Sequence, residues 1–188
     1  LDRTIFYPTG GGQPCDTGTL GGADVTETFL RGETVLHRCT AALPAGADVT
    51  GEIDWARRLD LMQQHSGEHL VSGLIHARFG YENVGFHLGA DLVTIDFNGE
   101  VDEQALQELE RAANEAVWAD FAPHIWYPEP DELAHLPYRS KKALTGAVRL
   151  VQFGDIDLCA CCGTHVARTG EIGLIKLFST THFPGGSR

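Results

Sequence analysis

The chain predicts an α+β protein: a glycine-rich β-barrel over residues 1–55, then an α+β domain over residues 56–188 whose helices cover one face of an antiparallel sheet. Three observations predict it. Short alternating apolar and polar runs, punctuated by glycine, fill the first part. Apolar residues at helical spacing begin only after about residue 56. Alternation then returns in short segments between and after the helical stretches. With 188 residues, 43% of them hydrophobic and 21% charged, there is apolar material for one domain or two small ones. The same figures exclude a disordered chain, a collagen-like repeat and a coiled coil.

Each element has its own signal. Ala23–Phe29 and Thr34–His37 alternate between the turns Gly10-Gly11-Gly12, Gly21-Gly22, Arg31-Gly32 and Pro44-Ala45-Gly46. From Arg57 to Phe79, Leu59, Met62, Leu70, Leu74 and Ile75 recur at helical spacing, and Gly80 is placed to cap the helix. Val84–Phe97 alternates again, with Asn98-Gly99 as a tight turn. Asp102 can cap a second helix to about Ala119, with Leu106, Leu109, Ala113 and Val117 on its apolar face. Pro123, Pro128, Pro130 and Pro137 mark a connection. Ala147–Phe153 and Gly173–Phe178 read as strands on either side of a cysteine-rich loop, and Phe183–Arg188 as a turn with no return strand. Residues are expected beyond the ends. No apolar run approaches the ~20 residues of a membrane span, and no basic-then-apolar leader opens the chain, so a cytoplasmic location is the expectation.

The formal net charge is −12, which argues against non-specific coating of nucleic acid. The charge is uneven. Residues 137–188 carry seven basic and three acidic side chains, leaving −16 on the rest. A locally basic face on an acidic body can still meet phosphate.

Five cysteines are present, and three of them (Cys159, Cys161, Cys162) crowd into four positions. An odd count is a poor disulfide framework, whereas a tight cluster beside a histidine points to metal or thiol chemistry. His65-Ser66-Gly67-Glu68-His69 puts two imidazoles at i and i+4, on one helical face, where both can reach one ion. Ser66 stands where a zinc protease would need its glutamate, so that reading is weak. Cys161-Cys162-Gly163-Thr164-His165 repeats the i, i+4 spacing with a thiolate and an imidazole. Together the two motifs supply the four nitrogen and sulfur ligands that zinc prefers. Cys159 and Cys162 are alternative thiolates. The turn at Gly10-Gly11-Gly12-Gln13 can expose backbone amides to a ligand, but lacks the spacing of a nucleotide-binding loop.

These motifs, taken together, resemble the free-standing alanyl-tRNA editing proteins (AlaX) and the editing domain of alanyl-tRNA synthetase. The matching stretches are Phe6-Tyr7-Pro8-Thr9-Gly10-Gly11-Gly12-Gln13-Pro14 with Asp16-Thr17-Gly18, and Met62-Gln63-Gln64-His65-Ser66-Gly67-Glu68-His69-Leu70. Gly85-Phe86-His87-Leu88-Gly89 follows, then Cys161-Cys162-Gly163-Thr164-His165-Val166 with Thr169-Gly170-Glu171-Ile172-Gly173. They run in the family's order over nearly the whole chain. The resemblance implies zinc (Zn2+) held by His65, His69, Cys161 and His165. It implies hydrolysis of alanine tRNA mischarged with serine, and of the glycyl ester. It places Gln13 near the reaction, and Cys162 departs from the glycine of many relatives.

An ester hydrolase needs a placed water and a group to hold the oxyanion. Gln13 and Glu68 are the candidate catalytic residues. Thr9, Gly11, Gly12 and His87 are candidates for substrate contacts, and Arg139, Lys141, Lys142 and Arg168 for tRNA phosphates. The expected partner is mischarged alanine tRNA, with no membrane or DNA partner. A fragment of a synthetase, a zinc-stabilised tRNA-binding module and a thiol enzyme are the rival readings.

Overall fold

The computed structural model describes residues 1–89, 92–140, 144, 146–183 and 186–187. Lys141 and Lys142 lie outside the described residues. In chain order the elements are β1 (Gly18–Leu20), β2 (Ala23–Arg31), β3 (Thr34–Cys39), β4 (Gly51–Ile53), α1 (Trp55–Phe79), β5 (Asn83–Leu88), β6 (Val93–Phe97), α2 (Glu103–Trp118), β7 (His124–Trp126), α3 (Pro130–Leu133), β8 (Leu150–Phe153), β9 (Asp157–Ala160), a 3-10 turn (Thr169–Ile172), β10 (His182–Phe183) and β11 (Gly186–Ser187). No helix among the described residues is long and apolar enough to cross a membrane. The chain divides into two units, Leu1–Leu61 and Met62–Arg188.

The first unit is an antiparallel sheet in the order β3-β2-β1-β4, with Gly18 opposite both Val25 and Ile53. Phe6, Leu20 and Val25 form its buried core, with Leu43, Val49 and Ile53 packed on them. The expected barrel is not closed among the described residues: β3 and β4 remain the two edges. The chain between them carries Pro44 and Gly46 and forms no strand that could bridge the gap. The glycine run makes a two-residue turn. Gly10 and Gln13 exchange backbone hydrogen bonds of 3.1 and 2.9 Å. Gly11 and Gly12 have φ of 58° and 83°, the left-handed pair that a type I′ turn requires. Asp16, fully buried, accepts from the Tyr7 amide at 2.6 Å and pairs with Arg58, which ties the segment before the turn to the start of α1.

The second unit is built around α1. Asp54 caps the helix through the Arg57 amide, and Gly80, at φ 70°, ends it on the His76 carbonyl. Residues 65–73 are all buried, so this helix is covered on every side instead of on one stripe. Leu70 enters one core with Ala116, Val117, Val151, Phe153, Val166 and Ile172. Val71 and Ile75 enter another with Phe97, Val101, Ala105, Leu109 and Ala113. Helices α1 and α2 thus serve both cores, one with β8 and one with β6. The expectation of one sheet with helices on one face is corrected: the sheets β10-β11-β6-β5 and β7-β8-β9 are separate and antiparallel.

Three local expectations also change. The β5–β6 hairpin closes through Gly89 and Leu92. Asn98-Gly99 instead marks the exit from β6, where the Asn98 side chain accepts from the Glu82 amide. Gly173–Phe178 is no strand, because its backbone is engaged by side chains of α2. The Asn114 amide bonds both the carbonyl and the N–H of Ile175, at 2.8 and 2.9 Å, and Glu110 accepts from the Leu177 amide. At the C-terminus a return strand does exist: β10 pairs with β11, and Ser187 lies opposite Phe97 of β6.

Candidate metal centre

Middle turns of α1 carry the first half of the centre. His65 and His69 stand one turn apart, 2% and 1% exposed, with ring centroids 5.5 Å apart. The second half comes from the loop after β9. Arg149 holds that loop by donating from Nη1 to the carbonyls of Cys161 (2.7 Å) and Gly163 (3.1 Å). Buried Ser66 on α1 accepts from the Val166 amide at 3.1 Å, which docks the loop onto the helix beside the two histidines. His165 then meets both partners, its ring centroid 4.7 Å from His65 and 4.8 Å from His69. Cys161 Sγ lies 3.3 Å from His65 Nε2.

One donor atom from each of His65, His69, Cys161 and His165 lies within 4.8 Å of the other three. A tetrahedral cation with bonds of about 2.0–2.3 Å closes that span with small side-chain shifts. Among the described residues, His69 Nε2 and both ring nitrogens of His165 are buried with no hydrogen-bond partner. Buried polar atoms are almost always satisfied, so three orphaned imidazole nitrogens around one sulfur fit a bound metal. The electrostatics agree. Burial alone would raise the Cys161 thiol, but the imidazoles of His165, His65 and His69 hold it well below its usual range. Burial would lower His69, but Asp157 and the Cys161 sulfur outweigh it and raise the ring to about 10. His165 is driven down to about 3, chiefly by burial. A cation bound by these donors would compete with protons for the same nitrogens and sulfur.

The three clustered cysteines are separated by environment. Cys159 faces inward from β9, where burial pushes its thiol up to about 12. Cys162 is exposed. Among the described residues, Cys161 is the cysteine that joins the four-donor group.

Glu68 is also buried, and its Oε1 accepts from Ser72 Oγ at 2.7 Å and from Asn83 Nδ2. It lines a cleft of about 150 Å3 beside α1, with Gln64, Gly67, Ile95, Ile175 and Leu177. His87 is not brought to the donors. Its neighbour Phe86 packs against His65 at 5.2 Å, and strand alternation turns His87 to the other face, 61% exposed and 3.5 Å from Asp96. Thr9, Gly11, Gly12 and Gln13 lie in the first unit; Thr9 donates its amide to Thr28, and Gln13 is buried. Arg168 is half exposed and paired with Asp120 at 2.8 Å. Arg139 is a correction. Its side chain is 8% exposed and bound to Asp157, so it is turned inward instead of offered to a phosphate. Sequence reasoning missed Asp157, Ser66 and Arg149.

With that geometry in hand, residues 148–187 match the family described as the second additional domain of threonyl and alanyl tRNA synthetases. Nearly the whole chain is similar to the alanyl-tRNA editing protein Aarsd1 of Danio rerio, 35% identical over 96% of this chain and 45% of that protein. Alanyl-tRNA editing protein AlaX-L of Pyrococcus horikoshii is 33% identical over 94% of this chain and 46% of its own length. Alanine–tRNA ligase of Halobacterium salinarum is 39% identical over 99% of this chain and 21% of its own. The chain spans less than half the length of these relatives. The chain is thus similar to part of the alanyl-tRNA editing proteins and to a stretch of alanine–tRNA ligase, in line with the resemblance of its motifs.

Proposed function

We propose that the chain is a trans-acting hydrolase that removes serine, and also glycine, from mischarged alanine tRNA at a zinc centre, in the cytoplasm. The observation that carries this reading is the convergence of His65, His69, Cys161 and His165 into one buried group with orphaned nitrogens. Three nitrogens and a thiolate are a donor set suited to zinc. His65, His69, Cys161 and His165 would hold the zinc, which would supply a fixed positive charge at the site.

The chain's own residues do the rest. Glu68, lining the cleft beside α1, takes the proton of the attacking water. The family resemblance assigns substrate contacts to Gln13, Gly11, Gly12 and Thr9 of the first unit. Selection of serine over alanine rests on its hydroxyl. A buried group that hydrogen-bonds the hydroxyl is left unpaired by alanine, and that penalty rejects it. Lys141, Lys142 and Arg168 contact the phosphates of the acceptor end.

The identity to alanine–tRNA ligase across the whole chain supports a second reading, that this is the corresponding piece of such a ligase. One experiment tests the activity common to both: deacylation of seryl-, glycyl- and alanyl-tRNA for alanine by the metal-loaded chain, with and without chelator. The expected result is loss of serine and glycine, retention of alanine and inhibition by chelator. Intact seryl-tRNA after incubation with metal-loaded protein would leave only a zinc-stabilised binding module.

A further inference from the structure

Behind the four donors lies a second buried group. Asp157 opens β9, and its side chain is 1% exposed. Its two oxygens face different partners. Oδ2 accepts from His69 Nδ1 at 2.7 Å, and Oδ1 accepts from Arg139 Nε at 2.8 Å. Arg139 is fixed in turn by its backbone, which donates to Leu158 O at 2.8 Å and accepts from Ala160 N at 2.9 Å, alongside β9. Its Nη2 is buried without a partner among the described residues. A buried ion pair is weak evidence for stability, because desolvating both charges offsets their attraction. A reason other than stability is needed for placing it here.

The geometry of His69 supplies one. A carboxylate on Nδ1 keeps the ring proton on that nitrogen and leaves the lone pair on Nε2. Nε2 is the orphaned atom that faces the Cys161 and His165 donors. Arg139 meanwhile occupies the other oxygen of Asp157. His69, Asp157 and Cys159 also bring three donor atoms within 4.8 Å of one another, but with Arg139 on the carboxylate that group already holds its cation. Gly73 makes the arrangement possible, because a Cβ there would overlap the Ile156 carbonyl and press on Asp157.

We infer that Asp157, held by Arg139, is a positioning residue for the metal centre: it fixes the tautomer and ring orientation of His69 and so sets cation affinity without touching the cation. The inference rests on His65, His69, Cys161 and His165 being the ligands.

The test titrates the full chain with Co2+ and Zn2+ in competition with a chelator, reading affinity together with the cobalt d–d and thiolate charge-transfer bands. Wild type is expected to bind one ion with a thiolate band. Asp157→Asn is expected to bind about 10–100-fold more weakly with shifted d–d bands. Arg139→Gln should move the same way by less, and Arg139→Lys should stay near wild type. Equal affinity and identical spectra in Asp157→Asn and Arg139→Gln overturn the inference while leaving the ligand reading intact. A wild type that binds no ion through sulfur overturns both. A measurement independent of variant folding is the long-range 15N–1H spectrum of the zinc-loaded wild type. It is expected to show His69 protonated at Nδ1 and ligated through Nε2; ligation through Nδ1 overturns the inference.

Discussion

Cys159, Cys161 and Cys162 are chemically identical in the sequence and have three different surroundings in the fold. Cys159 points into the interior from β9, Cys161 sits among three imidazoles, and Cys162 faces solvent. The spacing of Cys161 to His165 was legible, because i, i+4 needs no knowledge of tertiary structure. The choice among thiolates came from the family resemblance and not from spacing, since β9 ends at Ala160 and strand parity no longer applies beyond it. Asp157 was hidden for a different reason: an acid next to a turn reads as solvated, and only the pairing of β8 with β9 shows that it points inward. It follows that Cys161→Ser abolishes stoichiometric zinc binding, whereas Cys162→Ser leaves it within about twofold. Metal analysis of the purified variants checks both, and zinc retained by Cys161→Ser would reassign the sulfur ligand.

Helix α1 was legible in extent, to within two residues at its start, because its apolar spacing and Gly80 are local signals. That both flanks of the helix would be covered was not, because the covering comes from segments far away in the sequence. Its packing predicts a sharp sensitivity at Gly73. Gly73→Ala is expected to cost about 1–3 kcal/mol through overlap with the Ile156 carbonyl, read as a lower urea midpoint; a midpoint at or above wild type would contradict the close approach. Segment 173–178 shows the opposite failure. Its alternation correctly marked a half-buried extended stretch, but its bonding partners are side chains of α2 instead of a strand. Asn114→Ala, which leaves the Ile175 backbone groups without their amide partner, should cost about 1–3 kcal/mol. The Lys176 ammonium and the Leu177 amide hold the Glu110 carboxyl below its usual range. A depressed carboxylate contributes above its unfolded value and loses that contribution as pH falls through the folded one. Exchange of the Leu177 amide should therefore lose protection as the pH falls below the ordinary carboxylate range; equal protection of this amide in Glu110→Gln and wild type at neutral pH would contradict the pairing.

Over the whole molecule, the α+β class and the family resemblance were legible because the motifs are short, local and ordered. The two-sheet layout of the second unit was not, since pairings such as β11 with β6 join residues 90 positions apart. Four buried donors couple the metal to stability. At a free zinc concentration 100-fold above its dissociation constant, stabilisation is about 2.7 kcal/mol, which for a chain of this size is a rise of roughly 5–10 °C in Tm. Scanning calorimetry with zinc and with chelator reads it. If Lys141, Lys142 and Arg168 meet tRNA phosphate, replacing the two lysines by alanine should reduce the salt slope of binding by about 0.7–0.9 for each phosphate no longer neutralised, and an unchanged slope would remove them from the interface. The central claim is that two distant stretches of chain grip one cation, and X-ray absorption at the zinc edge of the loaded protein tests it most directly. The prediction is one sulfur at about 2.3 Å and three imidazole nitrogens at about 2.0–2.1 Å; a shell with no sulfur, or with two, would contradict it.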